Sequence, residues 1–169
     1  MQRRAVIGVM GAGESASQAD VSLAEELGER IARHGWALLT GGRNAGVMAA
    51  ANRGAKRVAS SLTLGILPAE SGEVSPDLDV AVFTGMGNAR NVINVLTSRV
   101  VIACGSGGPG TASEVALALK AGKPVILLAA DAAAETFFRT LGGSLYVAAS
   151  AREAVALVAQ LLRSSAVSS

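Results

Sequence analysis

Three glycine-rich segments of this sequence have the composition of phosphate-binding turns. They span residues 11–15, 41–46 and 105–111, and each follows an apolar run. Glycine lets the backbone adopt positive φ and lets an anion approach peptide N–H groups. A helix that begins directly after such a turn directs its partial positive charge to the same place. Each turn is therefore a candidate anion-binding site.

The three turns differ in how strongly they favour a ligand. Glycine in the first is explained equally well by the need to turn a strand into a helix. In the second, Arg43 adds a cation beside Gly41 and Gly42, although a solvated surface arginine would look the same. The third has four glycines in six residues and then supplies Thr111 and Glu114 one helical turn apart. The third turn most clearly favours ligand binding.

Arg90 and Glu114 are two further side chains with chemical potential. Arg90 follows an apolar run and the glycine-containing segment 85–88, as Arg43 follows its own turn. Glu114 lies in a helix otherwise made of small and apolar residues. It is either a first-turn acid stabilised by the helix dipole or an acid, base or ribose-binding group. Both residues are expected at the same edge of the fold.

Several classes of chemistry have no support in the sequence. The pattern Gly-x4-Gly-Lys-Ser/Thr is missing, so Mg-dependent NTP hydrolysis is not expected. The spacing of Gly8, Gly11 and Gly13 is not that of the dinucleotide fingerprint, so no nicotinamide cofactor is expected. His34 and Cys104 are the single histidine and cysteine. They supply neither histidine-based catalysis nor a metal site, and we predict no metal ligand.

Composition and charge limit the binding partners and the cellular location that we expect for this protein. The 15 basic and 13 acidic residues give a net charge of +2 without a basic stripe, and aromatic residues make up only 3%. Nucleic-acid binding is therefore not expected. The longest apolar stretch falls short of the ~18 residues of a membrane span. With one cysteine and no signal-peptide pattern, we expect a cytoplasmic protein without membrane contact.

Apolar runs alternate with helical periodicity along the 169 residues. Continuous Val, Leu, Ile and Ala runs are typical of strands buried on both faces, and the alternation predicts a parallel sheet with helices on both sides. We therefore predict a single doubly wound α/β domain of the Rossmann-like kind at residues 1–163, followed by a frayed Ser-rich tail at 164–169. The expected strands are 5–10, 36–40, 62–67, 78–84, 99–104, 124–129 and 145–147.

In such folds ligands bind outside the carboxyl ends of the strands. Topology then predicts that Arg43 and Arg90 hold anionic groups of one ligand from two different strand ends. The predicted binding residues are Gly11, Gly41, Gly42, Arg43, Met86, Gly87, Arg90, Asn91, Gly107, Gly108, Pro109, Gly110, Thr111 and Glu114.

Residues 107–114 resemble the Pro-Gly-Gly-x-Gly-Thr-x-x-Glu signature of the Lonely-Guy superfamily, with Pro and Gly in a different order. The resemblance implies a phosphoribohydrolase that releases base and ribose 5-phosphate from nucleoside monophosphates, with Arg90 and Glu114 acting at the ribose. The second motif of those enzymes is Met-His-x-Arg-Lys. Here residues 86–91 are one residue longer and lack the His and Lys, which argues against hydrolysis.

A closer resemblance, to the molybdenum cofactor carrier proteins of algae and cyanobacteria, runs through nearly the whole chain. It is carried by residues 7–11, 34–36, 39–43, 46–48, 109–112 and 116–120. The resemblance implies that a small anionic cargo, the finished molybdenum cofactor, is bound and protected until a molybdoenzyme receives it. It also implies a homodimer or homotetramer. Storage without a chemical step is our leading hypothesis, phosphoribohydrolysis is the alternative, and a DNA-handling role ranks last.

Overall fold

A computed structural model describes residues 3–105 and 107–167 of the chain. The strands are β1 (Val6–Gly11), β2 (Ala37–Thr40), β3 (Thr63–Leu67), β4 (Val80–Phe83), β5 (Val100–Cys104), β6 (Val125–Leu128) and β7 (Leu145–Ala148). The helices are α1 (Gln18–Arg33), α2 (Gly46–Ala55), α3 (Asn91–Thr97), α4 (Pro109–Lys120), α5 (Ala132–Thr140) and α6 (Ala151–Val167), and a 3-10 turn at Gly87–Arg90 precedes α3.

All seven strands pair in parallel, in the order β4-β3-β2-β1-β5-β6-β7. The chain builds outward from β1 to β4 and then returns to pair β5 with the other side of β1. Gly11 and Cys104 are opposite each other where these two central strands end. This reversal is the topological switch point at which doubly wound sheets bind ligands. The predicted fold class is confirmed.

Two apolar layers cover the sheet. Helices α1, α2 and α6 pack on one face, and α3, α4 and α5 pack on the other. Successive residues of β1 pack into opposite layers: Val9 packs in the layer of α1, α2 and α6, and Met10 packs in the layer of α3, α4 and α5. Both are buried, which is why the strand has a continuous apolar run and not an alternating one.

Helices α1 and α2 cross in backbone contact. A Cβ atom added to Gly28 would overlap the carbonyl oxygen of Ala51, and one added to Gly54 would overlap that of Glu25. This close crossing brings together the turns that precede the two helices. Val47 N–H, in the first turn of α2, donates a 3.0 Å hydrogen bond to the carbonyl of Ala12. The first and second glycine turns therefore form one continuous wall.

Two features at the carboxyl-terminal end differ from the sequence-based expectations. Helix α5 was not expected; the Asp131 side chain caps it by accepting from Ala134 N–H. Helix α6 extends to Val167, into the Ser-rich tail predicted at residues 164–169. The Ser164 hydroxyl donates to the Gln160 carbonyl oxygen, so serine is accommodated in the helix here. Residues 1–2, 106 and 168–169, including part of the predicted tail, lie outside the described residues.

Within the described ranges, no helix is long and apolar enough to cross a membrane.

Candidate functional site

A pocket of about 240 Å³ lies at the carboxyl ends of the central strands, at the switch point of the sheet. Its walls come from the first two glycine turns, the 3-10 turn, and the first turns of α3 and α4. The lining residues are Val9, Met10, Gly11, Gly41, Arg43, Met48, Pro68, Asn88, Arg90, Asn91, Gly110, Thr111 and Glu114.

Many of the residues predicted from the sequence meet in this pocket. The structure brings to its walls Gly11, Gly41, Arg43, Arg90, Asn91, Gly110, Thr111 and Glu114. It does not place there Gly42, Met86, Gly87, Gly107, Gly108 and Pro109. Ser106, inside the third turn, lies outside the described part of the chain.

Two of the residues away from the walls are explained by the backbone conformation. Gly42 has φ of 79° and donates its N–H to the Thr40 hydroxyl at 3.1 Å, so that N–H is already engaged. Gly107 has φ of 63°, and a Cβ there would lie 2.6 Å from the Thr111 Cβ. Glycine is needed at both positions for the backbone conformation. Met86 is half exposed at the surface.

Arg90 is held almost entirely inside the protein. Its side chain is 11% exposed, and the guanidinium lies over Gly41, where an added Cβ would be 2.9 Å from Nη2. Nη1 contacts Glu114 Oε1 at 3.3 Å. Nε is buried and has no hydrogen-bond partner among the described residues. Burial lowers the pKa of Arg90; Glu114 opposes this shift, and the charge of Arg43 adds to it.

Glu114 is the counter-charge of Arg90. Its side chain is 8% exposed, and Oε1 also accepts a 2.7 Å hydrogen bond from Asn94 Nδ2. Burial raises the pKa of Glu114, although Asn94 and Arg90 both act to lower it. A second amide, that of Asn91, donates to the Ser113 hydroxyl at 2.8 Å and ties α3 to α4. The Arg90 and Glu114 pair is therefore fixed by the contact between these two helices.

Arg43 enters the pocket from the opposite wall. Its side chain is 47% exposed and contacts Glu14 Oε1 at 3.5 Å, above Gly13. The influence of Arg43 on the pKa of Arg90 reflects two like charges that face one space. The topological prediction that the two arginines lie at one sheet edge agrees with this placement; their contact with a ligand stays a prediction.

The start of α4 adds further hydrogen-bond donors. The first N–H groups of a helix have no partner within it. After Pro109, which lacks an N–H, these groups belong to Gly110 and Thr111, both of which line the pocket. The next one, Ala112 N–H, donates to the Gly108 carbonyl at 2.9 Å. Two guanidinium groups and a helix N-terminus against one carboxylate make a site suited to an anion.

The site offers little for nucleophilic or metal chemistry. Cys104 ends β5 nearby, but burial, with a smaller contribution from Asp20, raises the pKa of its thiol to about 12. A thiol in that state is a poor nucleophile. Across residues 3–105 and 107–167, no cluster of three or more His, Cys, Asp or Glu side chains is placed to hold a metal ion.

Sequence reasoning missed part of the pocket. Met10 and Met48 flank the glycine turns and were not among the predicted binding residues, yet both line the pocket. Pro68 directly follows β3 and lines the pocket. Its place there depends on the order of the strands, which the sequence does not specify. No sequence pattern indicated a role for Asn94 in the site, because a polar residue in a short helix is usually exposed. Here it is fully buried against Glu114.

A model of the SLOG cluster4 family matches residues 4–155. The chain belongs to this family. Solved structures of 48–50% sequence identity cover nearly its whole length. Membership of the molybdenum cofactor carrier group within the Lonely-Guy-like superfamily, predicted from the sequence, is confirmed.

Two of these structures and one further sequence illustrate the similarity. The molybdenum cofactor binding protein of the phototrophic bacterium Rippkaea orientalis is 50% identical, with a TM-score of 0.90 over 96% of this chain and 99% of that one. The molybdenum cofactor carrier protein of Chlamydomonas reinhardtii is 49% identical, with a TM-score of 0.89 over 95% and 99%. An uncharacterized protein of Archaeoglobus fulgidus is 44% identical over 122 residues, which are 72% of this chain and 78% of that protein.

Proposed function

We propose that this protein binds and stores molybdenum cofactor in the pocket at the switch point, without a chemical step. The cargo is a pterin dithiolene with a phosphate at one end and an oxidised molybdenum centre at the other, so it is anionic at both ends. Relatives of 48–50% identity are molybdenum cofactor binding or carrier proteins by name.

The observation that carries the proposal is the state of Arg90. Its guanidinium is buried, Nε has no partner among the described residues, and its contact with Glu114 uses a single 3.3 Å hydrogen bond. A buried donor without a partner costs free energy, and a ligand oxygen would remove that cost. Arg43 and the N-terminus of α4 face the same space, which suits a ligand with separated negative groups.

Phosphoribohydrolysis is the second candidate because Arg90 and Glu114 lie together in the pocket. However, Glu114 is already engaged with Arg90 and Asn94, and the His and Lys of the hydrolase motif are missing. These features favour binding over turnover.

The decisive experiment is to purify the protein from a host that makes the cofactor and to identify what accompanies it. We expect molybdenum by elemental analysis and oxidised pterin by fluorescence, in near-equal amounts. The Arg90→Gln variant should retain much less of both, whereas a surface variant such as Arg152→Gln, on the exposed side of α6, should retain the parental amount. Protein that carries neither molybdenum nor pterin would contradict the proposal.

We also propose that the protein acts in the cytoplasm as a homodimer or homotetramer and passes its cargo to molybdoenzymes. The free Cys104 suits a reducing compartment. The edge strand β4 is exposed along its whole length, including the apolar residues Val80 and Val82. Such an apolar edge is typical of an association surface, and we assign it to a second copy of this chain.

Light scattering on a sizing column tests this assembly. Val82→Lys should lower the mass toward that of one chain. Leu141→Lys, also at an exposed apolar position but at the C-cap of α5, should leave the mass unchanged. A monomeric parent protein would contradict the proposed assembly without affecting the proposed cargo.

A further inference from the structure

We infer that Glu114 is a specificity-determining residue, which competes with small inorganic anions for Arg90 and so reserves the pocket for a larger ligand. The inference relies on the proposed function only for the identity of that larger ligand. It concerns the one carboxylate among the residues found to line the pocket.

The competition follows from the position of the carboxylate. Glu114 Oε1 lies 3.3 Å from Arg90 Nη1, and the two side chains are 8% and 11% exposed. Water therefore screens the pair weakly. A sulfate or phosphate ion that approaches Arg90 gains its attraction but also meets the full repulsion of Glu114.

Glu114 cannot easily move away from an incoming anion. Oε1 accepts a second hydrogen bond, of 2.7 Å, from the fully buried Asn94 on α3. The residue itself lies in the first turns of α4, and the Asn91–Ser113 hydrogen bond fixes α3 against α4. The negative charge is therefore a built-in part of the pocket.

A larger ligand is affected less than a small one. It reaches beyond Arg90 to Arg43, to the backbone of Gly11 and Gly41, and to the apolar wall that includes Met48. These additional contacts add to affinity, whereas Glu114 is held against Arg90 and opposes mainly the part of the ligand that binds there. A small anion bound at Arg90 makes fewer of these additional contacts, so Glu114 disfavours it more than it disfavours the larger ligand.

The chain contains a matched control. Glu14 forms the corresponding carboxylate contact with Arg43, at 3.5 Å, but its side chain is 79% exposed. The Glu14–Arg43 and Glu114–Arg90 pairs have the same chemistry, but the Glu14 side chain is exposed and the Glu114 side chain is buried. Neutralising Glu14 should therefore have little effect, because solvent already screens its charge.

Calorimetric titration of sulfate tests the inference, since sulfate keeps its charge across the working pH range. Glu114→Gln keeps the shape and a hydrogen-bond acceptor and should bind sulfate about tenfold more tightly than the parent, or better. Glu14→Gln should stay within about twofold. Melting temperatures establish that each variant is folded. Sulfate affinity that is unchanged or weaker in folded Glu114→Gln would overturn the inference.

The parent protein gives an independent measurement if the variant folds poorly. Burial raises the pKa of Glu114, so the residue takes up a proton as the pH falls, at a higher pH than an exposed glutamate would. Arg90, the charged group in contact with Glu114, keeps its charge as the pH falls, and Asn94, which donates to the same carboxylate, is neutral. Sulfate affinity should therefore increase as pH falls from 8 to 5, in both the parent and Glu14→Gln. A flat profile would overturn the inference.

The outcome is separable from that of the proposed function. Tighter sulfate binding in Glu114→Gln together with no molybdenum or pterin in purified protein would reject the cargo and keep the specificity role. Copurified cofactor together with unchanged sulfate binding would do the reverse.

Discussion

Replacing Arg90 by Gln removes a buried positive charge from the pocket, whereas Arg43→Gln removes an exposed one. The side chains are 11% and 47% exposed. A hydrogen bond to a charged group in a partly dry site contributes about 1.5–3 kcal/mol, so Arg90→Gln should weaken ligand binding by about 10- to 150-fold. An exposed charge pair contributes about 0.2–1 kcal/mol, so Arg43→Gln should cost less than about sixfold.

Calorimetry with molybdenum cofactor, and with molybdate as a partial mimic, measures both losses. The Arg43→Gln variant serves as the control because it makes the same chemical change at the same pocket. Equal losses in the two variants, or parental affinity in Arg90→Gln, would refute the argument that burial makes Arg90 the main anion ligand.

The Arg90→Gln variant should also change how the melting temperature depends on pH. Without Arg90, the buried Glu114 loses its counter-charge, and its already raised pKa should rise further. A carboxyl group with a raised pKa in the folded state favours folding at low pH, and that stability is lost as pH rises through the folded-state pKa. Arg90→Gln should therefore melt further below the parent at pH 8 than at pH 5.5. Equal deficits at the two pH values would contradict this.

The remaining predictions concern the scaffold and the third turn. Gly28→Ala should destabilise the protein by about 1–3 kcal/mol, or about 3–10 °C in melting temperature, because its Cβ overlaps the backbone of α2. Gly110→Ala, with no described atom within 4 Å of an added Cβ, is the neutral control. Gly110→Val should fold but bind ligand poorly in calorimetry, because the side chain enters the cradle; unchanged affinity would remove this turn from the site. Chromatography should show that adenine is released from AMP far more slowly than ~1 per second. Faster release that is lost in the Glu114→Ala variant would favour phosphoribohydrolysis.

The sequence predicted the sheet and much of the pocket because the relevant signals are local. An apolar run followed by glycine marks a buried strand and its turn, and parallel pairing then brings Arg43 and Arg90 to one edge. Gly110 is not among the positive-φ glycines, so the prediction for Gly110→Val depends on the exposure of this residue to the pocket.

Other properties depend on distances that no local pattern encodes. The sequence left open whether Glu114 is a first-turn acid stabilised by the helix dipole or a site residue, because its buried partner Asn94 lies 20 positions earlier in the chain. Gly28 and Gly54 look like weak points in two helices until the crossing of α1 and α2 is known. Helix α5 was missed because Phe138 is the buried residue of its short span, which leaves little periodicity to detect.

The backbone contact between α1 and α2 also affects how the pocket can change during evolution. Gly28 and Gly54 fix the spacing of the two helices, and the Val47 to Ala12 hydrogen bond fixes the turns above them. The backbone of this wall of the pocket is therefore fixed in shape. The opposite wall is joined by side-chain contacts such as Asn91 to Ser113, which a substitution can alter without moving the backbone. New ligand preferences in this family should therefore arise mainly from changes in α3 and α4, against an unchanged surface formed by α1 and α2.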